Sequence, residues 1–152
     1  MSLLQKHTIP SFRMQSGKVT SLTLSYQVFG KPIDSAPVVL VNHSLTGNSD
    51  VSGEDGWWNA IIGPKKLIDT EVYSIVAFNF PGNGFDDNFL IDYKDWVLRD
   101  ISEAFKITLD NLGIAQLYAA IGGSIGGALA WEMAVSYPQF IQNVIPIACH
   151  WE

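Results

Sequence analysis

The sequence predicts an α/β fold built on a mostly parallel sheet. Four short apolar runs, residues 38–41, 73–78, 117–121 and 144–148, alternate with stretches of helical spacing. That is the pattern of strands covered on both faces and joined by crossovers. An alternating segment, residues 19–29, precedes them and reads as a strand with one wet face. At the end of the third run the chain turns sharply into a helical stretch at Gly122-Gly123-Ser124-Ile125-Gly126.

The elements follow in order. Residues 8–14 read as a partner strand for the segment in which Val19, Leu22, Leu24, Tyr26 and Val28 alternate with Ser21, Thr23, Ser25 and Gln27. The run Val38-Val39-Leu40-Val41 begins after Pro37 and is expected to be fully covered. Residues 57–68 read as a first helix, interrupted near Gly63-Pro64. Residues 94–112 read as a second, with Trp96, Ile101, Phe105, Thr108 and Leu112 at helical spacing and Asn111-Leu112-Gly113 as its stop. Residues 125–137 form the third, ending before Pro138. The expectation is about six strands and three main helices, antiparallel at the start and parallel after. Trp57, Trp58, Trp96 and Trp131 are read as core, with Trp57-Trp58 also a candidate pocket wall.

Composition narrows the function classes. The 152 residues suffice for one domain with a real core, and 47% apolar against 16% charged residues is a globular balance. A net charge of -6, with Lys65-Lys66 the only adjacent basic pair, argues against nucleic acid as a partner. No apolar run approaches the roughly 20 residues of a membrane span, and residues 1–12 lack a signal-peptide pattern. The single cysteine, Cys149, excludes an internal disulfide, so a cytoplasmic location is expected. No His/Cys/Asp/Glu spacing predicts a metal site and no phosphate loop occurs, so no bound cofactor is expected.

The turn at residues 122–126 carries the chemistry. A G-x-S-x-G segment between strand and helix is a nucleophile elbow: glycines on either side allow close backbone packing while the serine is raised above the sheet edge. Ser124 is the candidate nucleophile. The amide of Ile125, at the helix N-terminus, is a candidate donor to an oxyanion. The second donor is expected from the loop Asn42-His43-Ser44-Leu45-Thr46-Gly47 after the run Val38-Val39-Leu40-Val41, with the Leu45 amide the best candidate. His43 reads as a loop-former ahead of a catalytic base. His150 stands just past the last strand and reads as a terminal residue ahead of an improvised partner for Ser124. Asp86 and Asp87 read as solvated loop acids, and Cys149 as a small strand-end residue.

Several segments together resemble the homoserine O-acetyltransferase family, an acyltransferase branch of the α/β-hydrolases. They are His43-Ser44-Leu45-Thr46-Gly47, Gly56-Trp57-Trp58, Gly63-Pro64-Lys65-Lys66-Leu67-Ile68-Asp69-Thr70, Leu98-Arg99-Asp100, and the glycine-rich turn from Gly122 to Gly127, in that order over residues 20–148. The resemblance implies the N-terminal part of an α/β-hydrolase fold. It implies Ser124 as the residue that carries the acyl group, with Leu45 and Ile125 supplying the oxyanion hole. Acetyl-CoA is the implied acyl donor and L-homoserine the implied acceptor. One segment departs from the family: Asn79-Phe80-Pro81-Gly82-Asn83-Gly84 resembles the Pro-Gly-x-Gly loop of ordinary hydrolases.

In α/β-hydrolases the order is serine, acid, histidine. The acid, the histidine and the substrate-gripping cap are therefore expected beyond Glu152, and residues 1–152 alone are expected to be inactive as a truncated domain. Two other readings stay open: a serine ester hydrolase, and a non-catalytic module that self-associates. Self-association is expected through an exposed sheet edge near residues 140–152, giving a homo-oligomer.

Overall fold

The computed structural model describes residues 2–90 and 92–150. The strands are β1 (Gln5–Arg13), β2 (Val19–Gly30), β3 (Val38–Asn42), β4 (Ile62–Gly63), β5 (Ile68–Asp69), β6 (Ser74–Phe78), β7 (Leu117–Gly123) and β8 (Ile141–Ile147). The α-helices are α1 (Leu98–Asn111) and α2 (Ile125–Ser136), and Tyr93–Asp95 forms a single 3-10 turn. Six strands make one sheet in the order β1-β2-β6-β3-β7-β8, while β4 and β5 form a separate short ladder. β1 and β2 are antiparallel, as are β2 and β6. The pairs β3/β6, β3/β7 and β7/β8 are parallel.

The central strands alternate between two apolar layers. Leu40, Val76 and Phe78 point into the layer that also holds Phe105, Leu109, Leu129 and Met133 of the two helices. Val39, Val41, Ile75 and Ala77 point to the opposite layer with Val51 and Ile62. Both α-helices therefore cover one face, and the irregular segment of residues 51–73 covers the other. Phe78 and Phe105 meet at 4.4 Å between ring centroids, and both are fully buried. Burial of a side chain of that size contributes about 1.5–3 kcal/mol.

The first expected helix does not form. Residues 57–68 make one tight turn, with the Ile61 and Ile62 amides donating to the Trp58 carbonyl at 3.0 and 2.9 Å. The chain then loops round through Lys65, whose φ is +58°, and brings Ile68 alongside Ile62 in parallel register. The reason is local. Gly63 and Pro64 leave too few residues before the break for a helix to repay its nucleation cost, and Ile62 gains complete burial in the second apolar layer instead. Among the described residues the α-helices thus number two, not three. The second helix also begins later than expected: Trp96 lies in extended backbone before α1 and stacks on Phe12 at 5.8 Å.

Two further expectations are corrected. The face of β2 read as wet is buried at Ser25 and Gln27, because the loops after β3 and β6 lie over it and supply polar partners. Trp57 and Trp131 are not core residues, being 38% and 37% exposed. Trp57 stacks on Trp58 at 4.7 Å and its indole donates to the Asn48 carbonyl, a partner that favours a surface position.

Candidate active site

Ser124 sits between β7 and α2 with φ 54° and ψ -123°, a conformation in which only glycine rests easily. Its side chain is exposed, and among the described residues no side chain hydrogen-bonds its hydroxyl. The turn is held by its backbone. The Ser124 amide donates to the Ile147 carbonyl at the end of β8, and the Ser124 carbonyl accepts from the Gly127 and Ala128 amides. Ile125 opens α2, so its amide has no intrahelical acceptor.

The flanking glycines are required by close approach. A Cβ on Gly126 would lie 2.5 Å from the Asn42 carbonyl oxygen and 2.6 Å from that of His43. One on Gly122 would lie 2.4 Å from the Gly126 backbone. The end of β3 therefore packs directly on the first turn of α2, and Asn42 Nδ2 ties the two by donating to the Gly126 carbonyl at 3.2 Å. Asn42 is itself paired with Gly122 in the parallel ladder.

Beyond Asn42 the chain enters a tight turn, Ser44-Leu45-Thr46-Gly47, closed by the Gly47 amide on the Ser44 carbonyl at 2.9 Å. Leu45 occupies its second position. Its side chain is 73% exposed. His43 is fully buried and its ring lies tilted against that of Phe80, 4.1 Å between centroids. Nδ1 lies 2.6 Å from the Ser44 carbonyl, and Nε2 accepts the Phe80 amide at 3.0 Å. Those partners assign the neutral ring with its proton on Nδ1. Burial pushes the His43 pKa below its ordinary value, with the bond to Ser44 opposing in part. A ring with both nitrogens occupied by backbone forms the loop and is not a base for Ser124.

A polar network that no sequence motif announces ties this loop to β2 and to the loop after β6. Asn79 Oδ1 accepts the Ser49 amide at 2.8 Å, and Asn79 Nδ2 donates to Ser25 Oγ and Ser49 Oγ. Ser49 Oγ donates to Gln27 Oε1 at 2.7 Å. Asn83 Nδ2 reaches the Gly47 carbonyl at 3.3 Å and Asn79 Oδ1 at 3.2 Å. The only signal in the sequence was an asparagine at each end of a Pro-Gly turn.

This arrangement of strand order, serine turn and adjoining loop coincides with a family match. The family model described as alpha/beta hydrolase fold matches residues 37–149. The chain belongs to the alpha/beta hydrolase fold family. Its similarity to homoserine O-acetyltransferases runs over most of its length: 35% identity with that of Moorella thermoacetica over 89% of this chain and 42% of the relative. With the Methanohalobium evestigatum protein of the same name the identity is 34%, over 89% of this chain and 32% of the relative. The chain thus spans less than half the length of these curated relatives. Among solved structures, esterase E22 superposes with a TM-score of 0.83 at 26% identity, covering 95% of this chain and 46% of that one. The homoserine O-acetyltransferase from Staphylococcus aureus gives 0.79 at 30%, covering 93% and 45%.

His150 is exposed beyond β8. Cys149 lies against α2, where a Cβ on Gly127 would be 2.6 Å from Sγ. Asp86, expected to be solvated, has a side chain only 7% exposed, lying 3.9 Å from Lys6 Nζ and accepting the Asn88 amide. Asp100 of the Leu98-Arg99-Asp100 segment is structural. It is fully buried, and its carboxylate accepts the Gln15 amide at 2.7 Å and the Val97 amide at 3.0 Å. Among the described residues no group of His, Cys, Asp and Glu could hold a metal ion, and no helix is long and apolar enough to cross a membrane.

Proposed function

We propose that this chain carries the nucleophile and oxyanion hole of an O-acetyltransferase that moves an acetyl group from acetyl-CoA to the hydroxyl of L-homoserine. The observation that carries the reading is Ser124: an exposed serine in a glycine-like conformation at the start of a helix whose first turn, at Gly126, packs on the backbone of Asn42 and His43. The similarity to the curated homoserine O-acetyltransferases supports the choice of reaction.

In this mechanism the Ser124 hydroxyl attacks the thioester carbonyl of acetyl-CoA, and the amides of Leu45 and Ile125 donate to the developing oxyanion. The thiol of CoA leaves, and the acyl-serine is attacked by the acceptor hydroxyl. Each attack needs a base to take a proton. Among the described residues none is hydrogen-bonded to Ser124, and His43 is committed to the loop. Loss of a triad member lowers the rate by several orders of magnitude. Residues 1–152 alone are therefore expected to transfer no measurable acetyl group.

The test follows acetyl transfer from acetyl-CoA to homoserine, with the protein encoded by the whole gene beside residues 1–152. Transfer by the former that disappears with Ser124→Ala is expected. Transfer surviving that substitution would sink the assignment. A second reading, an acetyl ester hydrolase, is favoured by the Asn79 to Gly84 loop and by the likeness to esterase E22. Release of acetate from simple esters without transfer to homoserine would select it.

We further propose self-association through β8 in a reducing, cytoplasmic setting. β8 pairs with β7 on one side and with no strand on the other among the described residues. Ile145 and Ile147 on it are 44% and 41% exposed.

A further inference from the structure

We infer that Asn83 is a positioning residue for the oxyanion hole, fixing the turn that presents the Leu45 amide. This rests on the reading of Leu45 as an oxyanion donor. The turn Ser44-Leu45-Thr46-Gly47 is gripped at both ends by side chains. At its start the Ser44 carbonyl is met by His43 Nδ1 at 2.6 Å. At its end the Gly47 carbonyl accepts Asn83 Nδ2 at 3.3 Å. The two grips touch each other, because Asn83 Nδ2 lies 3.5 Å from His43 Nε2.

Asn83 is itself set by the loop after β6. Phe80-Pro81-Gly82-Asn83 is closed by the Asn83 amide on the Phe80 carbonyl at 3.1 Å, with Gly82 at φ 79°. Proline second and a positive-φ glycine third are the requirements of a type II turn, which fixes the direction in which the fourth residue leaves. Asn83 Oδ1 is occupied by the Phe85 amide at 3.1 Å, so Nδ2 is the end left to face the Gly47 turn. Behind it, Asn79 Oδ1 accepts from Asn83 and from the Ser49 amide, joining the far side of the same loop to the sheet. The Pro-Gly-Asn segment thus has a task that explains both asparagines: it braces an amide that must already be aimed when charge develops on the substrate. A donor held in place needs no reorganisation at that moment. A loose one lowers kcat and leaves ground-state binding, and hence KM, nearly unchanged.

Asn83→Ala and Asn83→Asp separate this role from general stability. Amide protection is read by hydrogen exchange at Gly47, whose N–H closes the turn, and at Ala128, whose N–H belongs to the serine turn. The expected result is protection at Gly47 lowered about three- to tenfold in both variants, the size of one lost hydrogen bond, with Ala128 unmoved. In acid, the protonated carboxyl of Asn83→Asp regains a donor and recovers protection at Gly47, whereas Asn83→Ala does not. In the protein encoded by the whole gene, with 4-nitrophenyl acetate as probe, kcat is expected to fall about tenfold at nearly constant KM. Unchanged protection at Gly47, an equal loss at Gly47 and Ala128, or a loosened turn with unaltered kcat would each overturn the proposal. A wild-type protein inert toward the ester would defeat the catalytic reading, and with it the oxyanion role; the exchange data would then report only on the brace.

Discussion

The carbonyl oxygen of Asn42 lies against Gly126 so closely that a methyl group on residue 126 would fall 2.5 Å from it. Both partners are backbone, one at the end of a central strand and one in the first turn of a helix, and neither can rotate away.

Gly126→Ala is therefore expected to destabilise the fold by about 2–3 kcal/mol, in the range of overpacked cores, and to spoil the serine turn. Gly123→Ala is the control. A Cβ there meets nothing within 4 Å, so a change below about 0.5 kcal/mol is expected, as for an ordinary surface substitution. Urea denaturation of both variants decides it, and equal losses would contradict the packing account.

Ser124→Gly is expected to raise stability. At φ 54° and ψ -123° the serine carries strain that glycine does not, worth about 1 kcal/mol at the low end for such conformations. The greater freedom of glycine in the unfolded chain offsets part of it. The same substitution removes the nucleophile. A variant more stable than Ser124→Ala and equally inert would match; one less stable than Ser124→Ala would not.

His43 sets a pH dependence with a definite sign. Its folded pKa lies below the ordinary 6.5, so between those values the unfolded chain binds a proton that the folded chain does not. Stability is then full above pH 6.5 and falls as the pH drops toward the folded pKa. Urea midpoints at pH 7.5 and 5.5 are expected to show a larger loss for the wild type than for His43→Gln, which has no titrating ring. Long-range nitrogen correlations should find the proton on Nδ1.

The outer edge of β8 supplies the fourth test. Pro146 removes one donor from that edge, but Ile145 and Ile147 leave it apolar and partly exposed. Light scattering is expected to find residues 1–152 as a dimer or larger, and Ile145→Lys with Ile147→Lys to shift it toward monomer. A clean monomer at high concentration with β8 still ordered would remove the proposal.

The main strands and the serine turn were legible in the sequence because they rest on local signals: continuous apolar runs, and glycines spaced around Ser124. The segment 57–68 was misread because its apolar residues suit a helix as well as a tight turn, and the choice was made by Ile62 finding space in the distant layer around Val41 and Ile75. Ser25 and Gln27 looked wet because their partners, Ser49 and Asn79, are 22 to 54 residues away. Alternation along one strand cannot register a polar lid supplied by two other loops.

The bond from the Ser124 amide to the Ile147 carbonyl has a consequence for the order of assembly. Every residue of the glycine-serine motif has left the ribosome some twenty residues before its acceptor does, a lag of seconds at ordinary rates of synthesis. Until then the serine has no reason to hold an unfavourable backbone angle and is free to relax. The motif becomes reactive hardware only once a strand made later has docked beside it, so competence at this turn is a property of the finished sheet and not of the five residues that announce it.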